Sequence, residues 1–292
     1  MPLALSAADA AKYDETGYHF PIRAFSQDEA DGLSRRVVES EQKLGGPFKG
    51  RLNQKCHLLF PWLYDIVTSD RILDAVEPIL GPDIFCWSAG FFNKRPGDGN
   101  YVSWHQDATY WGLSDPDVLT AWVAFTPSTP ESGCMRVVAG THKAQLAHED
   151  KFDEANMLSR GQEIAAEVDE NEAIDIVLQP GEMSLHHVLL VHGSGVNRSK
   201  LPRVGFAIRY IPTRLRQLGI DRTSATLARG KDSYGHFDHE QRPEGDMHPA
   251  AVERHRRITE AQLGVLYKGA AKAGKRTEAD LAAQKRVATG TM

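Results

Sequence analysis

The sequence predicts a mainly β fold with flanking helices, and two observations carry that prediction. Between residues 84 and 211, short runs rich in Val, Ile, Phe, Trp and Thr alternate with clusters of Gly, Pro, Asp and Asn. This is the pattern of successive β-strands joined by turns. No helical segments separate these runs, which argues against βαβ units and favours a sandwich or a jelly roll.

Three helices are predicted before the strands. Residues 6–13 and 26–44 each begin at a serine that can cap a helix, and Ser26 with Glu29 has the spacing of a capping box. Residues 69–80 repeat apolar side chains at helical spacing, and Gly81 with Pro82 ends this helix.

Eight strands are predicted. After them we expect an ordered loop over residues 229–237, because its two aromatic side chains favour burial, and surface helices over 249–267 and 277–287. The strands cover residues 84–94, 102–107, 119–125, 135–138, 174–178, 183–187, 189–192 and 204–211. No linker divides the chain, so we expect a single domain over residues 1–292 with its β core at about 84–212.

Composition excludes several classes of function. The chain has 292 residues, 25% of them charged and 41% hydrophobic. Its net charge of -5 provides no excess of positive charge for binding nucleic acid or an anionic membrane. Three cysteines without a CxxC pair are expected to be buried residues of a reducing compartment. With neither a signal-peptide pattern nor a run of about 18 apolar residues, we expect a cytoplasmic protein, monomeric or homodimeric.

The most informative segment is Trp104-His105-Gln106-Asp107. On a strand, positions two apart share a face, so His105 and Asp107 are expected to point to one side, and Trp104 and Gln106 to the other. This pattern is frequent by chance, so it needs support from elsewhere in the chain.

A second group of histidines lies in the later strands. His192 ends an apolar run directly before Gly193-Ser194-Gly195, where a side chain can project into the mouth of a barrel. Two histidines and one carboxylate on one face of a metal leave the opposite positions open, as in non-heme Fe(II) oxygenases. Alternation turns either His186 or His187 inward, so this pair is an alternative source of the third ligand. Core packing or a hydrogen bond suits the pair better.

Arg203 begins the last strand-like run. A guanidinium near such a metal is suited to pair with a dicarboxylate whose other end chelates the iron. Alone, Arg203 would be read as a surface charge, and only the combination with the histidines and the carboxylate gives it weight.

Together these residues resemble the phytanoyl-CoA dioxygenase family of Fe(II)- and 2-oxoglutarate-dependent oxygenases. The resemblance covers the chain from Tyr13 to about Pro212. It rests on His105-x-Asp107, on His192 with Gly193-Ser194-Gly195-x-Asn197, on Arg203, and on the intervening Trp122, Glu131-Ser132-Gly133-Cys134-Met135 and Gly140-Thr141-His142.

The resemblance implies a double-stranded β-helix, the cupin-like jelly roll, with Fe(II) held by His105, Asp107 and His192. It implies 2-oxoglutarate and O2 as cosubstrates, with succinate and CO2 released. The residues expected to hold 2-oxoglutarate are Arg203, Ser194, Asn93 and Trp122.

Asp107 also bears on the outcome of the reaction. Related halogenases carry a small residue in place of this carboxylate, so hydroxylation is favoured over chlorination. Desaturation stays open, because the placement of the substrate decides it.

The substrate is less well indicated. Tyr110 and Trp111 could line the substrate mouth, although aromatic packing explains them equally well. Without an evident hydrophobic groove, we expect a small polar metabolite such as an amino acid, an osmolyte or an aminophosphonate. Four basic residues could bind an anionic substrate, although solvated surface charge suits them better: Arg51, Lys55, Lys94 and Arg95.

Three alternatives remain. One is a non-catalytic cupin-like module that binds a metal or ligand. Another is a family member that acts on an acyl-CoA or a natural product. The third is a zinc-dependent hydrolase, in which Arg203 would have no evident role.

Overall fold

The computed structural model describes residues 5–220 and 222–266. Its α-helices are α1 (Ala7–Thr16), α2 (Gln27–Leu44), α3 (Pro61–Val67), α4 (Asp70–Leu80) and α5 (Pro249–Leu266). Its strands are β1 (Tyr18–Arg23), β2 (Ile84–Phe91), β3 (Val102–His105), β4 (Leu119–Ala124), β5 (Met135–Val138), β6 (His148–Asp150), β7 (Gln162–Ile164), β8 (Ile174–Ile176), β9 (Glu182–His187), β10 (Val191–Ser194), β11 (Gly205–Pro212), β12 (Ser224–Arg229) and β13 (Asp238–His239).

The helices begin where the capping residues predict. Ser6 and Ser26 accept hydrogen bonds from the backbone N–H groups three residues later, and both caps are closed into capping boxes. The helix predicted over 69–80 is α4, and Gly81 follows it directly. The short helix α3, which starts at Pro61, was not predicted.

Two sheets form the jelly roll, and all but one of their strand pairs are antiparallel. The larger sheet has the order β1-β9-β4-β11-β2-β12-β13, and the smaller has the order β3-β10-β5-β8. Strands β6 and β7 form a separate antiparallel pair. The mainly β, cupin-like fold expected from the sequence is therefore confirmed.

Alternation along β11 separates the two faces of the larger sheet. Phe206, Ile208 and Tyr210 pack into the core that the sheet forms with helices α2 to α4. Ala207 points the other way, into a core shared with the smaller sheet. Arg209 has the same parity as Ala207, so its side chain belongs to the space between the sheets.

Several details differ from the predictions. The strand predicted over 102–107 ends at His105, and Asp107 begins a short 3-10 turn. Strands β1, β6, β7, β12 and β13 were not predicted, because they are short or lie outside the β-rich part of the sequence. In the loop 229–237, Phe237 is buried as expected, whereas Tyr234 is 55% exposed and the expectation of burial is wrong for it.

The remaining expectations are settled only in part. Cys56, Cys86 and Cys134 are free and buried, as expected. The helix predicted over 249–267 is α5, and the one predicted over 277–287 lies outside the described residues. Among the described helices, none combines the length and the apolar character needed to cross a bilayer.

Candidate metal and cosubstrate site

His105 and His192 are brought together by strand pairing. They lie directly opposite each other where β3 pairs with β10, and their ring centroids are 4.1 Å apart. An irregularity in the register follows immediately, between His192 and Ser194. The pairing joins two parts of the chain that the sequence separates widely.

Asp107 completes the group from the turn after β3. Its backbone N–H donates to the Val188 carbonyl over 2.9 Å, and its Oδ1 lies 3.3 Å from Nε2 of His105. The side chain of Gln106 fixes the turn by donating to the carbonyls of Ala144 and Leu189. The predicted convergence of His105 and Asp107 is therefore present, but a turn produces it rather than a continuous strand.

The backbone orients both imidazoles for a metal. Nδ1 of His105 lies 2.9 Å from the Ser103 carbonyl, and Nδ1 of His192 lies 2.9 Å from the Leu190 carbonyl. A carbonyl can only accept, so each Nδ1 carries the proton and each Nε2 keeps its lone pair. Hydrogen bonds of this kind fix the tautomer of histidines that bind metals.

The electrostatics keep the donors in the forms that bind metal. Burial alone would raise the pKa of Asp107, but the adjacent imidazoles and the positive charge of Arg209 hold this pKa below its usual range. Burial, together with the neighbouring His105, lowers the pKa of His192 to about 4. At neutral pH the site thus presents a carboxylate and a neutral imidazole.

Ligand atoms of His105, Asp107 and His192 all lie within 4.8 Å of one another, and all three residues are buried. This set of two nitrogens and one carboxylate oxygen fits Fe(II) and leaves further coordination positions free. His186 lies beside the group, its ring centroid 4.9 Å from that of His192, but it is not one of the three converging residues.

Arg203 lies at one end of the same cavity. Its guanidinium donates to the Gly133 carbonyl and, over 3.1 Å, to the Phe92 carbonyl, while its buried Nε has no partner among the described residues. The ring of Trp122 packs against it at 5.3 Å, and Gly205 makes room because a Cβ there would clash with that ring. Burial lowers the pKa of Arg203 to about 10, which leaves it protonated at neutral pH.

Lys94 is a residue of this end whose role the sequence did not reveal. It is fully buried, and its Nζ donates to Ser194 Oγ over 2.6 Å. Burial and the charge of Arg203 lower the pKa of Lys94 to about 6. Its position two residues after Phe92, which lines the cavity, is the signal that could have placed it inside.

The other three basic residues divide between surface and interior. Arg95 is exposed, as expected. Arg51 and Lys55 are buried, so the surface interpretation is wrong for them as it is for Lys94. They pair with Glu260 and Glu240, away from the metal group.

The remaining predicted residues lie in different places. Ser194 and Trp122 line the cavity. The Asn93 side chain accepts from the Gly205 N–H at 3.2 Å and is not among the residues that line the cavity. Tyr110 packs against the guanidinium of Arg160, and Trp111 packs against Trp87 and the guanidinium of Arg209. Neither is among the residues that line the cavity.

Fold and site together define a jelly-roll protein with a two-histidine, one-carboxylate metal centre and a buried arginine in the same cavity, the pattern of non-heme iron oxygenases. A family model described as phytanoyl-CoA dioxygenase matches residues 13–205. The chain belongs to the phytanoyl-CoA dioxygenase family.

Curated relatives agree with this assignment. The chain is 32% identical to the peroxisomal phytanoyl-CoA dioxygenase of Homo sapiens over 146 residues, which are 47% of this chain and 42% of the relative. It is 29% identical over 157 residues to a probable alpha-ketoglutarate-dependent hypophosphite dioxygenase of Stutzerimonas stutzeri, with 53% of this chain and 54% of the relative covered. The matched part spans about half the length of these relatives.

Solved structures resemble the chain over most of its length. A non-heme monooxygenase, ThoJ in its apo form, is 33% identical with a TM-score of 0.78, covering 89% of this chain and 97% of its own. CytC3 with Fe(II) and alpha-ketoglutarate is 25% identical with a TM-score of 0.60, covering 81% of this chain and 93% of its own.

Proposed function

We propose that this protein is an Fe(II)- and 2-oxoglutarate-dependent dioxygenase that hydroxylates a small polar metabolite. In this reaction one atom of O2 enters the substrate as a hydroxyl group and the other enters succinate. 2-Oxoglutarate supplies two electrons and loses CO2. The observation that carries the proposal is the convergence of His105, Asp107 and His192 in one buried cavity with Arg203.

Each part of the cavity has a role in this reaction. His105, Asp107 and His192 would hold Fe(II), which supplies the activation of O2. Arg203 would bind the distal carboxylate of 2-oxoglutarate, and the Ser194 hydroxyl, which accepts from Lys94, would donate to the same carboxylate. Because Arg203 is already held by backbone carbonyls and by Trp122, it loses little freedom on binding.

The size of the cavity supports a small substrate. The space free of protein atoms within it, including the part open to solvent, is about 440 Å³. That space must hold 2-oxoglutarate as well as the substrate. A curated relative named as a hypophosphite dioxygenase also points to a small polar substrate.

The test is an anaerobic titration of the purified protein with Fe(II) and then 2-oxoglutarate. We expect the visible metal-to-ligand charge-transfer band of a chelated keto acid, followed by succinate release when O2 and a substrate are added. A folded, iron-loaded sample without this band would contradict the proposal and favour a binding module. A matched sample of Asp107→Ala controls for iron bound elsewhere.

Location and assembly stay predictions. A cytoplasmic location is supported by three free, buried thiols, since reducing compartments keep cysteines unpaired. A monomeric or homodimeric state is expected, and sedimentation of the purified protein would decide it.

A further inference from the structure

Three polar side chains form a continuous patch on the wall of the cavity beside the metal ligands. Thr120, His186 and Arg209 lie on the adjacent strands β4, β9 and β11, in direct register with one another. All three line the cavity that contains the metal ligands. The roles proposed for iron and 2-oxoglutarate use none of them.

These side chains carry buried polar atoms without partners. Within the described part of the chain, Oγ1 of Thr120, Nδ1 of His186 and Nε of Arg209 have no hydrogen-bond partner. Buried polar groups in folded proteins are nearly always paired, because an unpaired one loses its hydrogen bonds to water without a replacement. Three such atoms on one patch indicate a place that a ligand completes.

Arg209 is the strongest element of this patch. Its guanidinium lies 5.4 Å from the ring centroid of Phe92 and 5.6 Å from that of Trp111, so aromatic rings hold it in place. Burial lowers its pKa, and Asp107 is the carboxylate whose charge acts on it among the described residues. Asp107 is already committed to the metal.

The charges of the loaded site leave Arg209 uncompensated. On the proposed function, the two positive charges of Fe(II) and that of Arg203 are balanced by Asp107 and the two carboxylates of 2-oxoglutarate. Lys94, with a pKa of about 6, is mostly neutral at neutral pH. Among the described residues, the positive charge of Arg209 therefore has no counter-ion, and an uncompensated buried charge is costly.

The two arginines serve different ends of the cavity. They are six positions apart on an extended segment, which places their Cα atoms roughly 20 Å apart. The charge of Arg209 acts on Asp107, His186 and His192. Arg203 instead interacts with Lys94, so a distal carboxylate bound to Arg203 would lie at the end of the cavity away from Arg209.

We infer that Arg209, with Thr120 and His186, forms a subsite for an oxyanion group of the prime substrate, either a carboxylate or a phosphorus oxyanion. This inference rests on the proposed function and narrows its substrate class to small anionic or zwitterionic molecules. The planar guanidinium can donate to two oxygens of such a group at once, and the Thr120 hydroxyl can donate a third hydrogen bond to it. Arg209 would thus determine specificity and orient the substrate beside the metal.

The test measures the preference for acids over their neutral amides. Calorimetric titration would use acetate, propionate and hexanoate with acetamide, propionamide and hexanamide, and then methylphosphonate and phosphite to separate the two oxyanion types. Each titration would be run on the protein alone and on the Ni(II)- and 2-oxoglutarate-loaded protein. We expect at least one acid to bind wild type about tenfold or more tightly than its neutral partner.

Three variants identify the residue responsible. Arg209→Met is expected to remove the preference for acids while the affinity for the amides stays unchanged, and Arg209→Lys is expected to restore part of it. Arg214→Met removes an exposed arginine that pairs with Asp117, and it should behave like wild type. Arg209→Met should also keep its melting temperature, because it removes a buried charge that has no partner.

Three outcomes would overturn the inference: no preference for acids in wild type, an unchanged preference in Arg209→Met, or loss of the 2-oxoglutarate charge-transfer band in Arg209→Met. The last result would assign Arg209 to the cosubstrate or to Asp107. Absence of the band in wild type would instead contradict the proposed function. The titrations without metal would then still test the anion subsite.

Discussion

Two clusters of buried charge in this jelly roll differ in how their charges are compensated. In one, the Lys55 ammonium donates to Glu240 Oε1 over 2.6 Å and to the Ser224 carbonyl, and Thr226 donates to the other oxygen of Glu240. In the cavity of the candidate metal site, neither Arg203 nor Arg209 forms an ion pair with a carboxylate of the described residues. The comparison distinguishes an ion pair that stabilises the fold, Lys55 with Glu240, from two cations that are available to bind ligands, Arg203 and Arg209.

Burial alone would not have made this distinction. Lys55, Lys94 and Arg203 are all nearly inaccessible to solvent. What differs is the partner, since Lys55 faces a carboxylate of the protein and Arg203 faces backbone carbonyls and an open cavity. Four predictions sharpen this contrast, from the largest expected effect to the smallest.

Removal of the carboxylate ligand should have the largest effect. Asp107→Ala is expected to abolish succinate formation and to weaken Fe(II) binding by more than the roughly 10–100-fold seen for residues that only support a ligand. Metal titration monitored by the charge-transfer band would measure this. His186→Ala should bind iron nearly as wild type does, and equal losses in both variants would refute the assignment of the ligands.

Breaking the compensated cluster should affect stability and not the site. Glu240→Gln leaves the buried Lys55 without its counter-charge, which typically costs about 3–5 kcal/mol of the free energy of unfolding. Urea denaturation would measure the loss. The folded fraction should bind 2-oxoglutarate with wild-type affinity, and a selective loss of that affinity would show that the two clusters are coupled.

Arg203→Met should show the opposite pattern. We expect 2-oxoglutarate binding to weaken by about 2–5 kcal/mol, the usual cost of removing one partner of a buried charge pair, while iron binding is retained. Anaerobic titration of the iron-loaded variant with 2-oxoglutarate would show it. Unchanged affinity would mean that a different cation binds the distal carboxylate.

Lys94 should give the smallest effect, a dependence of 2-oxoglutarate affinity on pH. Lys94 has a pKa of about 6 in the free protein, and a carboxylate bound nearby favours the protonated amine and raises that pKa. Binding therefore takes up a proton, and affinity falls as pH rises above about 6, by at most about tenfold per pH unit for one proton.

Calorimetry in two buffers with different ionisation enthalpies would detect this proton uptake. Lys94→Met should abolish it and flatten the pH profile between about 6 and 8. Proton uptake that persists in this variant would assign the linkage to another group. Lys43→Met, which removes an exposed lysine paired with Asp246, is a suitable control.

The sequence patterns located most of the strands and the three residues that converge at the candidate metal site. Period-two alternation and turn residues located most strands of the two sheets, and the order of motifs identified His105, Asp107 and His192. The pairing of His105 with His192 depends on the register between β3 and β10, which no local pattern contains. Alternation on a continuous strand predicts that Asp107 lies beside His105, and it does, but a turn after His105 and not a strand places it there.

The buried cations were the main failure of prediction. The sequence favours a surface position for Lys94 and does not single out Arg209, because charged side chains are rarely buried without a protein partner. The alternation in β11 held a usable signal. Phe206, Ile208 and Tyr210 are bulky and face the helices, so the residue between the last two must face the cavity.

The measurement that tests the central claim most directly is an anaerobic crystal structure of the protein with Mn(II) and 2-oxoglutarate. We predict the metal on His105, Asp107 and His192, the distal carboxylate on Arg203, and Arg209 without a contact to 2-oxoglutarate. A metal held by other residues, or a distal carboxylate on Arg209, would contradict the division of the cavity into a cosubstrate end and a substrate end.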